Sequence, residues 1–412
     1  MSSSLRRAAG GLLVVGLGGT ELSGLERAWL RLVRPAGIIL FKRNIADARQ
    51  TRALLDEATG LGAEYGLRCV DVEGGTVDRL RDALAPMPSA QAVARAAFNP
   101  TLSLEFKKAG LSAPLRSAQS DAAPGLPRSQ QLNLGHPDLR ERKTGLAREH
   151  GELIGQAVKA FGFNTTLAPA LDLGLPDSVE VMGTRAAAAT AAGVVEYARS
   201  FLSGLAAQGV VGCGKHFPGL GGGTRDSHLE TPAIHRGGGE IWREDLAPYR
   251  ELRDQLPMVM VNHAAYPETP GRARPASVSP YWITTVLRRR VGYKGIAFSD
   301  DLEMGGILKF MSIEEAVIEA VRAGMDLMEI CHSPELILRA CEALIAEGER
   351  SAAFEEMLRT RARRTARLRA RLFARGVPKA LSATQLELLR SRILRFGETI
   401  AKAQPAAEVH AT

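Results

Sequence analysis

Short apolar runs alternate with helical patterns along most of this chain. Eight runs are apolar at nearly every position, which is typical of parallel strands buried on both faces; they are Leu12–Gly16, Gly37–Phe41, Leu67–Val70, Asn164–Ala168, Val210–Cys213, Met258–Val261, Gly295–Phe298 and Met325–Ile330. The segments between them space their apolar residues as helices do, most clearly in Glu26–Val33, Ala48–Thr59, Glu152–Phe161, Ala191–Gln208, Ile283–Val291 and Ile313–Ala323. Eight such units in about 340 residues predict an α/β fold, a (β/α)8 TIM-type barrel, rather than an open doubly wound sheet.

Polar side chains follow four of these runs at the point where each run ends. Asp71 closes the third run, and the others are closed by Lys215-His216, Asn262-His263 and Asp300-Asp301. Barrel enzymes build their active sites at the C-terminal ends of the strands. Solvated loops would explain one or two of these residues but poorly explain four, so the pattern favours an active site there.

The stretch Lys215–Pro232 contains a glycine-rich segment, Gly219–Gly223, followed by Asp226 and His228. In extended backbone, residues two apart point the same way, so the Asp226 carboxylate can hydrogen-bond the His228 imidazole. An imidazole near its ordinary pKa can give and take a proton near neutrality, and a carboxylate fixes its tautomer. The pair is interpreted as a general acid/base on a mobile loop; a histidine in a simple turn is the alternative.

Two carboxylate motifs complete the candidate chemistry. Asp71 precedes Gly74-Gly75, and these glycines would let the backbone pass close to a ligand. Asp71 and Arg79 could form an acceptor–donor pair for sugar hydroxyls, or only a structural ion pair. One of Asp300 and Asp301 could attack an electrophilic carbon when ionised, while the other could cap the following helix. The pattern does not distinguish them.

Metal and acyl-transfer chemistry are disfavoured. His216 and His263 could suggest zinc, but they lack close ligand spacing, so contact with substrate or support of the site is preferred, with no metal and no cofactor. No serine sits in a nucleophile elbow. The four cysteines show no paired spacing, which favours buried thiols in a reducing compartment and a cytoplasmic location.

Composition describes an ordinary globular protein, with 45% apolar and 24% charged residues and no run that approaches a membrane span. The net charge of +8 is concentrated in arginines between 359 and 375, without aromatic residues that could stack on bases. A terminal helix that docks on the body is therefore favoured over a nucleic-acid or membrane partner. The chain does not reveal its oligomeric state, and a monomer is the default expectation.

The barrel domain is expected to span residues 10–345. Residues 98–148 interrupt its rhythm with repeated proline, serine and alanine, which predicts a disordered insertion or a lid. Residues 346–412 are expected to form a helical, basic C-terminal extension.

Together these motifs resemble the family 3 glycoside hydrolases, in particular their bacterial β-N-acetylglucosaminidase branch. The resemblance covers about Gly11 to Ile345, outside the insertion, and its carriers are Gly37–Asn44, Asp71–Leu80, Leu167–Gly174, Lys215–Gly219, Asp226–Pro232, Val259–Pro267 and Phe298–Met304. Val72, Leu220 and Ala186 depart from the residues usual in these motifs.

The resemblance implies a retaining hydrolysis through a covalent glycosyl-enzyme, without metal. Asp300 matches the family nucleophile, His228 the general acid/base and Asp226 its dyad partner. The positions that bind the terminal N-acetylglucosamine are matched by Asp71, Arg79, Arg185, Lys215 and His216. The implied substrate is a muropeptide with β-linked N-acetylglucosamine on anhydro-N-acetylmuramic acid, from cell-wall recycling.

Two other functions remain open. A phosphorylase of the same family would use a neutral histidine that does not repel phosphate, with Lys215 and Arg185 adding positive potential. A sugar-binding protein with weak turnover would keep the barrel but not the catalysis.

Overall fold

A closed barrel of eight parallel strands forms the body of the computed structural model. The structure describes residues 3–98, 137–222, 231–272, 274–374, 376–377 and 379–404; for residues 137–144 and 180 it describes the backbone only. The strands are β1 (Leu13–Gly16), β2 (Gly37–Leu40), β3 (Leu67–Val70), β6 (Thr165–Thr166), β7 (Val211–Phe217), β8 (Met258–Val261), β9 (Ile296–Asp301) and β10 (Leu327–Ile330). A separate hairpin joins β4 (Val72–Gly74) and β5 (Val77–Asp78). Each of the eight predicted runs contains one barrel strand, so the predicted TIM-type barrel is confirmed.

The barrel closes because β1 pairs with both β2 and β10. Alternate side chains of each strand point inward, and an apolar cluster including Cys69, Cys213 and Phe298 fills the interior without exposure to solvent. The barrel is therefore a packed core rather than a pore.

Helices surround the barrel in sequence alternation with the strands. They span Ser3–Gly10, Gly24–Val33, Ala48–Gly60, Ala90–Phe98, Pro137–Ala160, Val179–Met182, Ala191–Ala207, Gly238–Arg243, Ala247–Leu252, Gly305–Leu308, Ile313–Ala323, Pro334–Arg350, Ala352–Phe373 and Ala383–Lys402, with a π-helical segment at Tyr281–Arg290. Reciprocal capping by Ser23 with Glu26 and by Ser312 with Glu315 begins two of them. None of the helices in the described ranges is long and apolar enough to cross a membrane.

The basic C-terminal helices pack on the barrel. Helix Ala352–Phe373 buries Phe354 and Leu358, and Arg369 on the same helix donates hydrogen bonds to the carbonyl oxygens of Ala36 and Glu64 at 3.0 Å. Helix Ala383–Lys402 buries four apolar side chains, Leu389, Ile393, Phe396 and Ile400. The arginine-rich segment therefore docks on the body, as was favoured from the sequence.

Most of the predicted insertion at 98–148 lies outside the described residues, and helix Pro137–Ala160 begins within it. The four cysteines are free and buried, as expected from their spacing.

Candidate active site

A cavity of about 550 Å³ opens at the C-terminal ends of the barrel strands. Six of the eight predicted catalytic and sugar-binding residues line it: Asp71, Arg79, Arg185, Lys215, His216 and Asp300. Further lining residues include Phe41, Leu220, Met260, Asp301, Glu329, Cys331 and His332. The other two predicted residues, Asp226 and His228, lie outside the described residues.

Lys215 lies between two carboxylates at the base of this cavity. Its Nζ lies 2.8 Å from Asp71 Oδ1 and 2.7 Å from Glu73 Oε1. Burial by itself lowers the pKa of Lys215, but the two carboxylates outweigh it and raise that pKa overall. Lys215 is therefore a permanent cation held in one place.

Arg185 makes a two-pronged ion pair with the same Glu73. Its Nε and Nη2 donate to the two carboxylate oxygens at 2.9 and 2.8 Å. Burial raises the pKa of Glu73, yet Arg185 and Lys215 together lower it well below its ordinary value. Glu73 thus positions two cations for a ligand without lining the cavity itself.

His216 is held from both sides. Its Nδ1 lies 2.7 Å from Asp172 Oδ2, and Arg185 Nη2 lies 3.2 Å from its Nε2. Because a guanidinium can only donate, Nε2 accepts from Arg185 when the ring is neutral, and Nδ1–H donates to Asp172. The same Asp172 carboxylate accepts the backbone N–H of Leu220 at 2.7 Å, which ties the glycine-rich segment to the cavity wall.

Asp300 ends β9 and faces the cavity. Burial raises the pKa of Asp300, but His216, His263 and Lys215, with the N–H of Asp301, lower it overall. The carboxyl group is therefore ionised at neutral pH, as a nucleophile must be.

Asp301 has the opposite electrostatic environment. Burial, with the negative potential of Glu303 and Asp300, raises the pKa of Asp301 to about 7. Its Oδ1 accepts the backbone N–H groups of Glu303 and Cys331 at 3.1 and 3.2 Å. Neighbouring carboxyl groups whose pKa values are pushed apart serve different roles. The contacts of Asp301 connect the loops after β9 and β10, which is a structural role.

Arg79 forms weaker ion pairs than the cavity cations Arg185 and Lys215. Its Nη2 lies 4.0 Å from Asp71 Oδ2, beyond hydrogen-bond distance, and its buried Nε has no hydrogen-bond partner among the described residues. The guanidinium also lies near the Phe41 ring, 5.9 Å from its centroid. Arg79 is thus free to donate to a ligand.

The glycine pair after Asp71 has a packing role that the sequence did not predict. Gly74 and Gly75 have φ values of 91° and 63°. A Cβ at Gly74 would lie 2.1 Å from the carbonyl oxygen of Pro88. These positions need glycine because the hairpin β4–β5 packs against the backbone of residues 88–89.

His263 lies behind the cavity wall. Its Nδ1 lies 2.7 Å from Ser277 Oγ and its Nε2 lies 2.9 Å from the carbonyl oxygen of Asp301. It therefore supports the end of β9 rather than touching the cavity. The neighbouring Asn262 donates to the His216 carbonyl oxygen at 3.0 Å and to the Tyr266 hydroxyl at 2.9 Å.

One group of side chains in the described ranges has ligand atoms close enough to hold a metal ion. The oxygen and nitrogen atoms of Asp301, Glu303 and His332 lie within 4.8 Å of one another. The Glu303 carboxylate, however, accepts the backbone N–H groups of His332 and Ser333. Asp301 also accepts two backbone N–H groups. The closeness of these three side chains is therefore explained by hydrogen bonds that hold together the loops after β9 and β10.

Sequence reasoning assigned no role to three carboxyl groups of this site: Glu73, Asp172 and Glu329. Glu73 and Asp172 belong to motifs noted above, Asp71–Leu80 and Leu167–Gly174, but their partners come from distant parts of the chain. Of the unusual residues, Val72 and Ala186 are buried in the core, whereas Leu220 lines the cavity.

Comparison with known proteins identifies the relatives of this architecture. Residues 5–368 match the model of the glycosyl hydrolase family 3 N-terminal domain. A beta-hexosaminidase of Thiobacillus denitrificans is 34% identical over 327 residues, which are 79% of this chain and 79% of that protein. A second beta-hexosaminidase, from Alkalilimnicola ehrlichii, is 34% identical over 79% of this chain and 82% of its own length.

Solved structures agree with these sequence relatives. A glycoside hydrolase family 3 beta-N-acetylglucosaminidase from Paenibacillus superposes with a TM-score of 0.76 at 28% identity, over 95% of this chain and 68% of that chain. NagZ from Neisseria gonorrhoeae, in complex with N-trifluoroacetyl-D-glucosamine, superposes with a TM-score of 0.68 at 25% identity, over 95% and 96% of the two chains. The chain belongs to glycosyl hydrolase family 3.

Proposed function

We propose that this protein is a retaining exo-β-N-acetylglucosaminidase, a glycoside hydrolase of the hexosaminidase type that removes terminal β-linked N-acetylglucosamine. The observation that carries the proposal is Asp300, an ionised carboxylate that faces a cavity lined by a fixed array of cations and carboxylates. The beta-hexosaminidase relatives support the sugar class.

In the proposed first step, a carboxylate oxygen of Asp300 forms a bond to the anomeric carbon while the bond from that carbon to the leaving oxygen breaks. His228 donates its proton to the leaving oxygen, and Asp226 orients the imidazole. In the second step His228 takes a proton from water, whose oxygen attacks the anomeric carbon and releases Asp300. The product keeps the β configuration because two displacements occur.

The described ends of the loop support the role of His228. On one side, Leu220 lines the cavity and donates its N–H to Asp172. On the other side, Thr231 donates its hydroxyl to the Gly306 carbonyl oxygen at 2.6 Å, two residues after the cavity-lining Met304. His228 belongs to a segment that is anchored beside the cavity at both ends.

Recognition of the sugar is assigned to the predicted residues Asp71, Arg79, Arg185, Lys215 and His216. Sugar hydroxyls need acceptors and donors held rigidly, and the ion pairs of Glu73 and Asp71 hold the cations in this way. The packed barrel interior lies beneath the cavity. Attack on a terminal residue is proposed from the family resemblance.

Hydrolysis is favoured over phosphorolysis by the charge balance. Arg185 and Lys215, which could have attracted phosphate, are both paired with buried Glu73. Of Arg79, Arg185 and Lys215, only Arg79 is weakly paired, at 4.0 Å from Asp71. A dianion that approaches Asp300 would therefore meet one loosely held cation against the ionised carboxylates of the cavity. Assay in phosphate buffer separates the two reactions, since a phosphorylase would release N-acetylglucosamine 1-phosphate.

The natural substrate is proposed to be a cytoplasmic muropeptide that carries N-acetylglucosamine on anhydro-N-acetylmuramic acid. This step rests on the family resemblance and on the four buried free thiols, which suit a reducing compartment. Mass spectrometry of a muropeptide digest, before and after incubation with the protein, tests it. The expected product has lost one N-acetylhexosamine.

The central experiment is incubation with a fluorinated N-acetylglucosaminide that traps the glycosyl-enzyme, followed by peptide mass mapping. We expect one adduct on the peptide that contains Asp300, and none in the Asp300→Ala variant. An adduct on another carboxylate, or turnover with inversion of the anomeric centre, would refute the mechanism. Tight binding of N-acetylglucosamine without turnover of any glycoside would identify a sugar-binding protein instead.

A further inference from the structure

Glu329 is a buried carboxyl group at the cavity floor that the proposed mechanism does not use. It lies in β10, in register with Val14 of β1 and Asp301 of β9. Leu327 and Cys331, two residues to either side, belong to the cluster inside the barrel. Because alternate strand residues share a face, the Glu329 side chain points into the barrel, where it lines the cavity while the residue stays 3% exposed.

The hydrogen bonding of this carboxyl group is incomplete. Among the described residues, its only hydrogen bond comes from the Cys331 thiol, whose Sγ lies 3.2 Å from Oε1. The cations of the cavity form their ion pairs with other carboxylates, because Arg185 is bound to Glu73 and Lys215 to Asp71 and Glu73. A carboxylate in this position would lack the cation that buried charges require.

The groups that face Glu329 make its anionic form more costly still. The carboxyl groups among them are Asp71, which follows β3, and Asp300 and Asp301 of β9. The thiols of Cys69 in β3, Cys213 in β7 and Cys331 after β10 also interact with Glu329, and the one cation from these strands that lines the same cavity, Lys215 of β7, is paired with Asp71 and Glu73. Lining residues after β2 and β6 and in β8 are apolar, namely Phe41, Leu167 and Met260. Burial, followed by Asp301, Asp71 and Asp300, raises the pKa of Glu329 well above its ordinary value.

We propose that Glu329 is a sugar-binding residue that, as a neutral carboxylic acid, donates its proton in a hydrogen bond to a hydroxyl oxygen of the terminal sugar. This inference rests on the proposed function. A hydroxyl group that accepts this hydrogen bond can also donate its own proton to one of the ionised carboxylates around it. Glu329 and a neighbouring carboxylate would then bind both the acceptor and the donor of the same sugar hydroxyl group. A ligand without that hydroxyl group would leave the acid unpaired, which is a strong source of discrimination.

Two substitutions test the proposal. Glu329→Gln keeps a donor of the same shape without the titratable proton, whereas Glu329→Leu removes the donor. Cys69→Ala is the matched control, because it changes packing beside Glu329 at a position that does not line the cavity. The measurements are the KM and kcat for an aryl N-acetyl-β-glucosaminide, calorimetric binding of N-acetylglucosamine, and the midpoint of thermal unfolding.

We expect Glu329→Leu to weaken N-acetylglucosamine binding by about 10- to 100-fold, with an unchanged or higher unfolding midpoint, because replacing a buried polar group with an apolar one rarely destabilises a core. Glu329→Gln should stay within about fivefold of the wild type. Above the pKa of Glu329 the wild-type affinity should fall with rising pH, and the affinity of Glu329→Gln should not.

Wild-type affinity in Glu329→Leu would overturn the proposal. So would a loss in Glu329→Gln as large as in Glu329→Leu, or identical pH profiles in the wild type and Glu329→Gln. A wild-type protein that turns over no N-acetylglucosaminide would refute the proposed function, while the binding data would still test the role of Glu329. The two failures are therefore distinguishable.

Discussion

Lys215 and Glu73 form an ion pair with Nζ and Oε1 2.7 Å apart, and the two side chains are only 4% and 3% exposed. Glu73 also binds Arg185 through both oxygens. A carboxylate on the strand that follows Asp71 thus fixes cations from two distant parts of the chain. The geometry of this end of the cavity therefore depends strongly on the buried Glu73 carboxylate.

Glu73→Gln should therefore destabilise the fold as well as the site. Loss of the carboxylate leaves two buried cations facing an amide, which costs about 3–5 kcal/mol in comparable buried pairs. Urea unfolding at pH 7 measures the change. Lys42→Met is the control, because the Lys42–Asp82 pair is equally short at 2.6 Å but its side chains are 74% and 62% exposed; its unfolding midpoint should not move.

The pH dependence of this contribution has a definite sign. The pKa of Glu73 is lowered from its ordinary 4.5 by Arg185 and Lys215, against the effect of burial. The stabilisation is therefore present above pH 4.5 and is lost as the pH falls below it. Equal unfolding free energies of the wild type and Glu73→Gln at pH 7 would contradict this account.

Asp300→Ala should reduce hydrolysis of an aryl N-acetylglucosaminide by at least about a thousandfold, since no glycosyl-enzyme can form. Asp301→Asn is the matched control one residue away. Its amide oxygen can still accept the N–H groups of Glu303 and Cys331, so most of the activity should remain. Substantial turnover by purified Asp300→Ala, or a larger loss in the control, would remove Asp300 from its assigned role.

The barrel was predictable because burial on both faces leaves a direct mark on the sequence. A strand such as Met258–Val261 is apolar at every position because both of its faces are covered. The helix Ala90–Phe98 was not among the predicted helical segments, and for Ala383–Lys402 the helical character was predicted but not its packing partners. Their partners are helices distant in sequence, which no local pattern records.

The site was predictable only in part, for a related reason. Asp71 follows β3, and Lys215 and Asp300 lie near the C-terminal ends of β7 and β9, so the barrel topology brings them together. Glu329 sits inside an otherwise apolar run, and its importance arises from the carboxyl groups that other strands place around it. Asp172 likewise gains its role from His216 and Leu220, two partners more than 40 residues away in sequence.

His228→Ala should separate good leaving groups from poor ones. General acid catalysis contributes about 10²- to 10⁴-fold where the leaving oxygen needs a proton, so a muropeptide or an alkyl glycoside should lose that much in kcat/KM. An activated aryl glycoside, whose phenolate leaves unaided, should lose far less. His235→Ala is the control, because that side chain is 68% exposed. Equal losses on both substrates would argue against an acid role.

The opposed titration of Asp300 and Asp301 predicts a pH-dependent stability difference. Burial with Glu303 and Asp300 raises the pKa of Asp301 to about 7 from an ordinary 3.8. The folded state therefore binds this proton more tightly than the unfolded state, so the stabilisation is complete below pH 3.8 and is lost as the pH rises through 7. A shift of three pH units corresponds to at most about 4 kcal/mol.

Asp301→Asn does not ionise, so its unfolding free energy relative to the wild type should rise between pH 4 and pH 7 and level off above. Asp300→Asn provides the opposite case, because the pKa of Asp300 is lowered despite burial, by His216, His263 and Lys215. Between pH 5 and pH 8 Asp300 is ionised in both states, so its own titration adds no slope to the difference from the wild type. The remaining slope should reflect only the lost contribution of Asp300 to the pKa of Asp301, and it should be smaller than the slope for Asp301→Asn. Urea unfolding across this range measures both differences. A flat profile for Asp301→Asn would show that the carboxyl group of Asp301 is ionised in the folded protein. The two aspartates would then have no distinct electrostatic roles.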